Sequence, residues 1–136
     1  MATSPVFEAI PRLEPVEISA ANTNLRATNT GASGGTGTVV TVATGVAAGT
    51  EIRRVIVQAT QTTTAGMVRL FLFNGTNYRA LREITVTAIT VGASTPAFRA
   101  EVAFSDLILP SASWSLVATT HNAETFHVTA MGADLT

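Results

Sequence analysis

The chain has 136 residues, a formal net charge of −1 and charged side chains at only 12% of its positions. It is long enough for one packed domain and carries no basic field to neutralise a nucleic-acid backbone. Cysteine is absent, which excludes disulfides and thiolate metal ligands, and every basic residue is an arginine, the cation suited to fixed, planar pairing with carboxylates at sheet surfaces and interfaces.

The first segment reads differently from the rest. Pro5, Pro11 and Pro15 hold it extended, because proline fixes φ and turns its predecessor away from helix. Apolar and polar residues alternate briefly over Val16 to Ser19, and the stretch ANTNLRATNTGASGGTGT that follows is small, polar and glycine-rich, the composition of a loop. The expectation is an extended arm and loop over residues 1–36 and a β-sandwich domain over residues 37–136. The arm is either a loose terminus or a segment that orders on a neighbouring subunit, anchored by Val6, Phe7, Ile10 and Leu13. Apolar side chains are costly to leave in water, which favours the second reading. The start MATSPVFEAIPRLEP has no basic stretch leading into an apolar one, and no long apolar run occurs, so neither an export signal nor a membrane span is expected.

From Thr38 onward threonine, valine and isoleucine dominate, and β-branched side chains favour the pleated sheet. Candidate strands are Thr38–Ala43, Glu51–Thr60, Gly66–Phe73, Tyr78–Thr87, Ala97–Phe104, Trp114–Thr119 and Thr125–Met131. Alternation puts Phe98, Val102 and Phe104 on one face, with Arg99 and Glu101 on the other. In the third of these strands Val68, Leu70 and Leu72 oppose Met67, Arg69, Phe71 and Phe73. Such a strand is central, or a partner buries its second face, and Phe71 and Phe73 become candidate partner contacts. Asn74-Gly75 between two strand-like runs signals a hairpin. Short strands with turns between them give the fold class: all-β, a single antiparallel β-sandwich, jelly-roll-like, with an extended N-terminal arm.

Chemistry is sparse. TTHNAETFHV, Thr119 to Val128, holds both histidines, but two histidines without cysteine fall short of a metal set. The stretch reads as two strands around a hairpin loop, Thr120–Glu124. The glycine-rich GASGGTG lacks the Gly-Lys-Ser/Thr of a phosphate loop. Glu83 and Glu101 are the best strand-borne acids, and each reads as half of a cross-strand ion pair. Trp114 stacks a sugar or fills the end of the sandwich, and the second reading is preferred. No catalytic, cofactor-binding or metal-binding residue is assigned, and no enzyme activity is expected.

The runs RRVIVQATQTTTAGMVRLFLFNGTNYRALREITVTAIT, Arg53 to Thr90, and LILPSASWSLVATTHNAETFHVTAMGADL, Leu107 to Leu135, resemble small β-sandwich virion structural proteins of tailed bacteriophages. Within that class are capsid cement or decoration proteins, which commonly trimerise and clamp capsid subunits, and tail or baseplate components. The resemblance implies a virion protein assembled in the host cytoplasm, a homo-oligomer with a trimer preferred, and a major capsid protein or another virion protein as partner. A carbohydrate-binding module using Trp114 and Tyr78 is the alternative from a different class. Neither nucleic acid nor a membrane is expected as partner.

Overall fold

A computed structural model describes residues 8–23 and 38–136. Among these residues nine strands run in chain order: β1 (Glu8–Ile18), β2 (Val40–Thr44), β3 (Thr50–Ala59), β4 (Gly66–Phe73), β5 (Tyr78–Val86), β6 (Arg99–Ala103), β7 (Ile108–Leu109), β8 (Ser115–Thr120) and β9 (Phe126–Leu135). The front sheet has the order β1-β9-β3-β6, with the short β7 also on β3, and the back sheet has the order β2-β8-β4-β5. Every pairing between these strands is antiparallel. With β7 set aside, this is the strand order of a jelly roll, in which successive strands, apart from the β4–β5 hairpin, alternate between two sheets packed face to face. The described residues contain no helix.

The expected alternation fills the space between the sheets. Val55, Val57, Ile52, Val128 and Phe126 from the front sheet meet Val68, Leu70, Leu116, Ile84 and Val42 from the back sheet, all buried. Phe98 and Phe126 pack edge to face with ring centres 6.4 Å apart, the arrangement that aligns a positive ring edge with a negative ring face. Phe98 and Val102 point inward while Arg99 and Glu101 stay exposed, as the alternation requires.

Asn74-Gly75 forms a hairpin within the back sheet, between β4 and β5. Asn74 Oδ1 accepts the amides of Thr76 and Asn77 at 2.9 and 2.7 Å, and Gly75 supplies the positive φ of 95° that the turn needs. The Thr120–Glu124 loop is not a hairpin. Its two strands lie in different sheets, β8 in the back and β9 in the front, so the loop is an arch across the end of the sandwich. Composition does not separate the two cases, because hairpins and arches use the same turn residues.

The division at residue 36 also moves. The segment Glu8–Ile18 is a full strand, paired along its length with β9, and Ile18 is 2% exposed in the core with Val16 packed against it. The prolines at positions 11 and 15 that suggested an arm are accommodated because β1 is an edge strand. One row of its N–H positions faces away from the sheet, and a proline there costs no ladder bond.

Candidate interaction surface

Besides its ladder with β9, the edge strand β1 is tied to both sheets by one side chain, Arg12. Arg12 points from β1 toward the end of the sandwich, where its Nη1 donates to Asp134 Oδ1 of β9 at 2.7 Å and its Nε donates to Glu14 Oε1 at 2.7 Å. Both of its terminal nitrogens also lie 3.3 Å from the Thr44 carbonyl of β2, so one guanidinium ties both sheets together. Thr50 Oγ1 donates to the same Asp134 oxygen at 2.7 Å. Burial alone raises the Asp134 carboxyl, but the hydrogen bonds from Thr50 and Arg12 and the Arg12 charge outweigh it, leaving the group below its usual 3.8.

Four of the contact candidates lie among the described residues, two on the clamped strand β1 and two on β4. Ile10 and Leu13 lie on β1 and are 56% and 65% exposed, the largest exposures among the large apolar side chains described. Phe71 is corrected: it is 1% exposed within the single chain and has no surface to offer a partner. It stands with Val117 on the back sheet's outer side, paired in register, and both are buried in the single chain, so this part of the second face needs no neighbouring subunit to cover it. Phe73 is half-buried and stacks on Tyr78 with ring centres 4.5 Å apart. Val6 and Phe7 lie outside the described residues.

The outer face of the front sheet holds a groove that the sequence reading missed. Leu13, Met131, Arg54 and Ala103 are consecutive register partners across β1, β9, β3 and β6. Together with Arg12, Arg53 and Gly132 they line a shallow, open cavity of about 360 Å³. The cause is a β-bulge in β3 between Ile52 and Arg54. Strict alternation from Ile52 would turn Arg54 into the core; the extra residue sends Arg53 and Arg54 outward together and returns Val55 to the core. Gly132 faces the bulge so closely that a Cβ there would collide with the Glu51 carbonyl oxygen. The signal in the sequence was Ile-Arg-Arg-Val, since a period-2 pattern buries one of those arginines unless the strand bulges. No comparable signal tied Arg12 to Asp134, 122 positions away.

The histidine stretch has structural partners. Glu124 is buried and accepts the Thr64 amide at 2.7 Å, while the Asn122 amide donates to Thr64 Oγ1 at 3.0 Å and the Ala65 carbonyl at 3.1 Å. The arch from β8 to β9 is thereby fastened to the arch from β3 to β4. His121 Nδ1 lies 3.4 Å from Arg69 Nη1; because a guanidinium only donates, a hydrogen bond there requires Nδ1 as the acceptor. His127 lies on β9 opposite Glu17, with Nε2 3.1 Å from Glu17 Oε2 on the exposed face. Among the described residues no three histidines or acids gather as a metal site. Glu83 and Glu101 are ion-paired across strands, to Arg69 at 3.1 Å and to Arg54 at 2.9 Å. Trp114 packs against the inter-sheet core.

No family model matches the chain, and no curated protein is significantly similar to it.

Proposed function

We infer that this chain is a structural virion protein of a tailed bacteriophage, a capsid cement or decoration protein that binds and stabilises the shell of major capsid protein. The observation that carries the reading is the exposure of Ile10 and Leu13 on a strand that Arg12 holds rigidly to both sheets. Each aliphatic side chain contributes about 1.5–3 kcal/mol when a partner buries it fully. Because β1 is already ordered, little conformational entropy opposes that contact. The resemblance of Arg53–Thr90 and Leu107–Leu135 to virion proteins supports the same class, and a shell repeats one such contact at every copy.

The sugar-binding alternative is less well supported. Trp114 is packed against the core and Tyr78 is stacked on Phe73, so both rings are engaged within the chain rather than set out as platforms.

The test mixes purified protein with shells assembled from the major capsid protein encoded in the same genome. Saturable co-sedimentation and a raised melting temperature of the shell are expected, with Leu13→Asp reducing both. Absence of binding to shells overturns the cement reading, and binding to tail assemblies instead assigns the chain to the tail. Sedimentation of the protein alone measures the proposed homo-oligomer, for which a trimer is preferred.

A further inference from the structure

We propose that the open edge of β5 receives an extended acidic segment of a partner protein, which adds to the back sheet as a further strand with carboxylates at alternate positions. The site lies on the back sheet, away from Ile10 and Leu13 on β1, and does not rest on the virion reading. Arg12, Arg53, Arg54, Arg69 and Arg99 are each paired with a carboxylate. Arg79 and Arg82, both exposed on β5, form no ion pair among the described residues, and Arg79 Nη1 donates to the Tyr78 carbonyl of its own strand at 3.2 Å.

Register brings the two unpaired cations to one side of the strand. Arg79 stands opposite Leu72 and Arg82 opposite Leu70, with a β-bulge between them. Strict alternation would turn these two residues to opposite sides; the extra residue, Leu81, returns Arg82 to the side of Arg79. The two guanidinium groups then repeat as same-side neighbours of a strand do, about 7 Å apart along it. Carboxylates on alternate residues of an added strand share one side and the same interval. Each therefore meets a guanidinium, whose fork matches a planar carboxylate bidentately.

The backbone favours strand addition at this edge. The Asn74 N–H donates to the Asn77 carbonyl, and the alternation of an antiparallel ladder then turns the Tyr78 N–H and carbonyl away from β4, toward the open side. Among the described residues no strand pairs with that side, and β5 runs nine residues without proline or glycine. The other edges are less open. Pro11 and Pro15 remove donors from β1, β2 has five residues and a bulge between Thr41 and Ala43, and on the five-residue β6 Arg99 and Glu101 already pair with each other. Charge decides between occupants. A second copy adding through its own β5 would set arginine against arginine, and like charges facing across strands repel. A nucleic acid meets a chain of net charge −1 with no wider basic field.

The experiment is a selection of random displayed peptides on the full chain, counter-selected against the Arg79→Ala/Arg82→Ala double variant. Proline-free peptides with Asp or Glu at alternate positions are expected. Once synthesised, they should lose about tenfold or more in affinity for the double variant, in line with lost charge-assisted hydrogen bonds, and weaken as salt rises. The Arg79→Lys/Arg82→Lys variant keeps both charges and should retain part of the affinity. Both arginines are exposed and unpaired, so each variant should melt within a few degrees of wild type. Bound peptide should slow hydrogen exchange at the Tyr78 amide, which separates a paired strand from charge attraction alone. Failure to recover peptides that distinguish wild type from the double variant overturns the proposal. Binding that leaves Tyr78 exchange unchanged, or that is equally tight when the acids are moved to adjacent positions, overturns it as well. Self-association of the double variant, with no peptide bound by wild type, overturns it too, because the arginines then only guard the edge.

Discussion

Two cross-strand ion pairs of the same chemistry stand on the outer faces of the two sheets. In the back sheet Arg69 meets Glu83 at 3.1 Å with side-chain exposures of 6% and 27%; in the front sheet Arg54 meets Glu101 at 2.9 Å with exposures of 50% and 36%. The distances would rank the front pair as the stronger. Burial reverses the order, because a guanidinium removed from water has lost a hydration that only its partners replace. Arg69 is surrounded by buried Phe71, Val117 and Thr119, so its bonds to Glu83 and His121 are structural requirements. Arg54 can leave Glu101 for water or for a ligand. The back sheet spends its second face on stability, and the front sheet keeps its second face available.

The comparison breaks most severely if the front sheet can shed its edge. Deleting residues 1–18 removes β1, and with it the buried Ile18, the packed Val16 and the Arg12 clamp. Burial of Ile18 alone is worth about 1.5–3 kcal/mol, against a total stability of about 5–15 kcal/mol for a domain. The expected outcome is loss of the cooperative melting transition or a drop of many degrees, read by circular dichroism. An unchanged transition would show that β1 is an accessory and that the sandwich is complete without it.

Glu83→Ala comes next. It leaves Arg69 buried without its carboxylate, and removing one partner of a buried pair costs about 3–5 kcal/mol. The exposure of Glu83 places the expected loss near the lower end. The double variant Arg69→Met/Glu83→Ala should recover part of it, since an apolar side chain in that position needs no partner. Denaturant midpoints of the single and double variants measure both effects.

Asp134→Asn tests the clamp through pH. The folded carboxyl lies below its usual 3.8, so ionised Asp134 stabilises the fold above that pH. The contribution is lost as pH falls through the lowered folded value, where the carboxylate takes up a proton. Replacing it should cost about 1.5–3 kcal/mol near neutrality, the range for hydrogen bonds to charged groups. The gap between wild type and variant should narrow in strong acid. A gap independent of pH would mean that the asparagine disturbs packing rather than charge.

These tests fall on residues that the sequence revealed unevenly. β4 was legible to its ends, Gly66 to Phe73, because its apolar run is bounded by glycine and by Asn74-Gly75. The outward Arg99 and Glu101 followed from alternation alone. The end of β9 was not legible: the expected strand stopped at Met131, whereas pairing continues to Leu135, since Gly132 interrupts the pattern to make room for the bulge opposite. β1 was hidden by its prolines, which signal an arm in isolation and an edge strand once β9 is beside them. Sheet membership of β8 and β9 was hidden for a different reason, because the loop between them is fastened by Thr64 and Ala65, more than fifty positions away. The Asn-Gly turn carries its own partners, and the arch does not. Of the candidate contacts, Ile10 and Leu13 stand exposed on a sheet strand rather than on a free arm, while Phe71 failed because period-2 reasoning shows which face a side chain takes but not what covers that face.

The smallest expected effect is the sharpest check on the comparison. Arg54→Ala and Glu101→Ala each remove half of the front pair, and the coupling between them in a double-mutant cycle should lie below about 1 kcal/mol. Salt should weaken it further, because both side chains are open to solvent and are screened over about 10 Å at 0.1 M ionic strength. The same cycle on Arg69 and Glu83 should return a larger coupling that salt changes little. Arg99 makes the front measurement more demanding: it also reaches Glu101, at 3.3 Å, so Arg54→Ala leaves Glu101 a second partner and lowers the apparent coupling. Repeating the front cycle in an Arg99→Ala background removes that route, and the coupling should rise while remaining below that of the back pair. Equal couplings in the two sheets would mean that burial does not set the difference, and the contrast between a face used for stability and a face left available would fail with it.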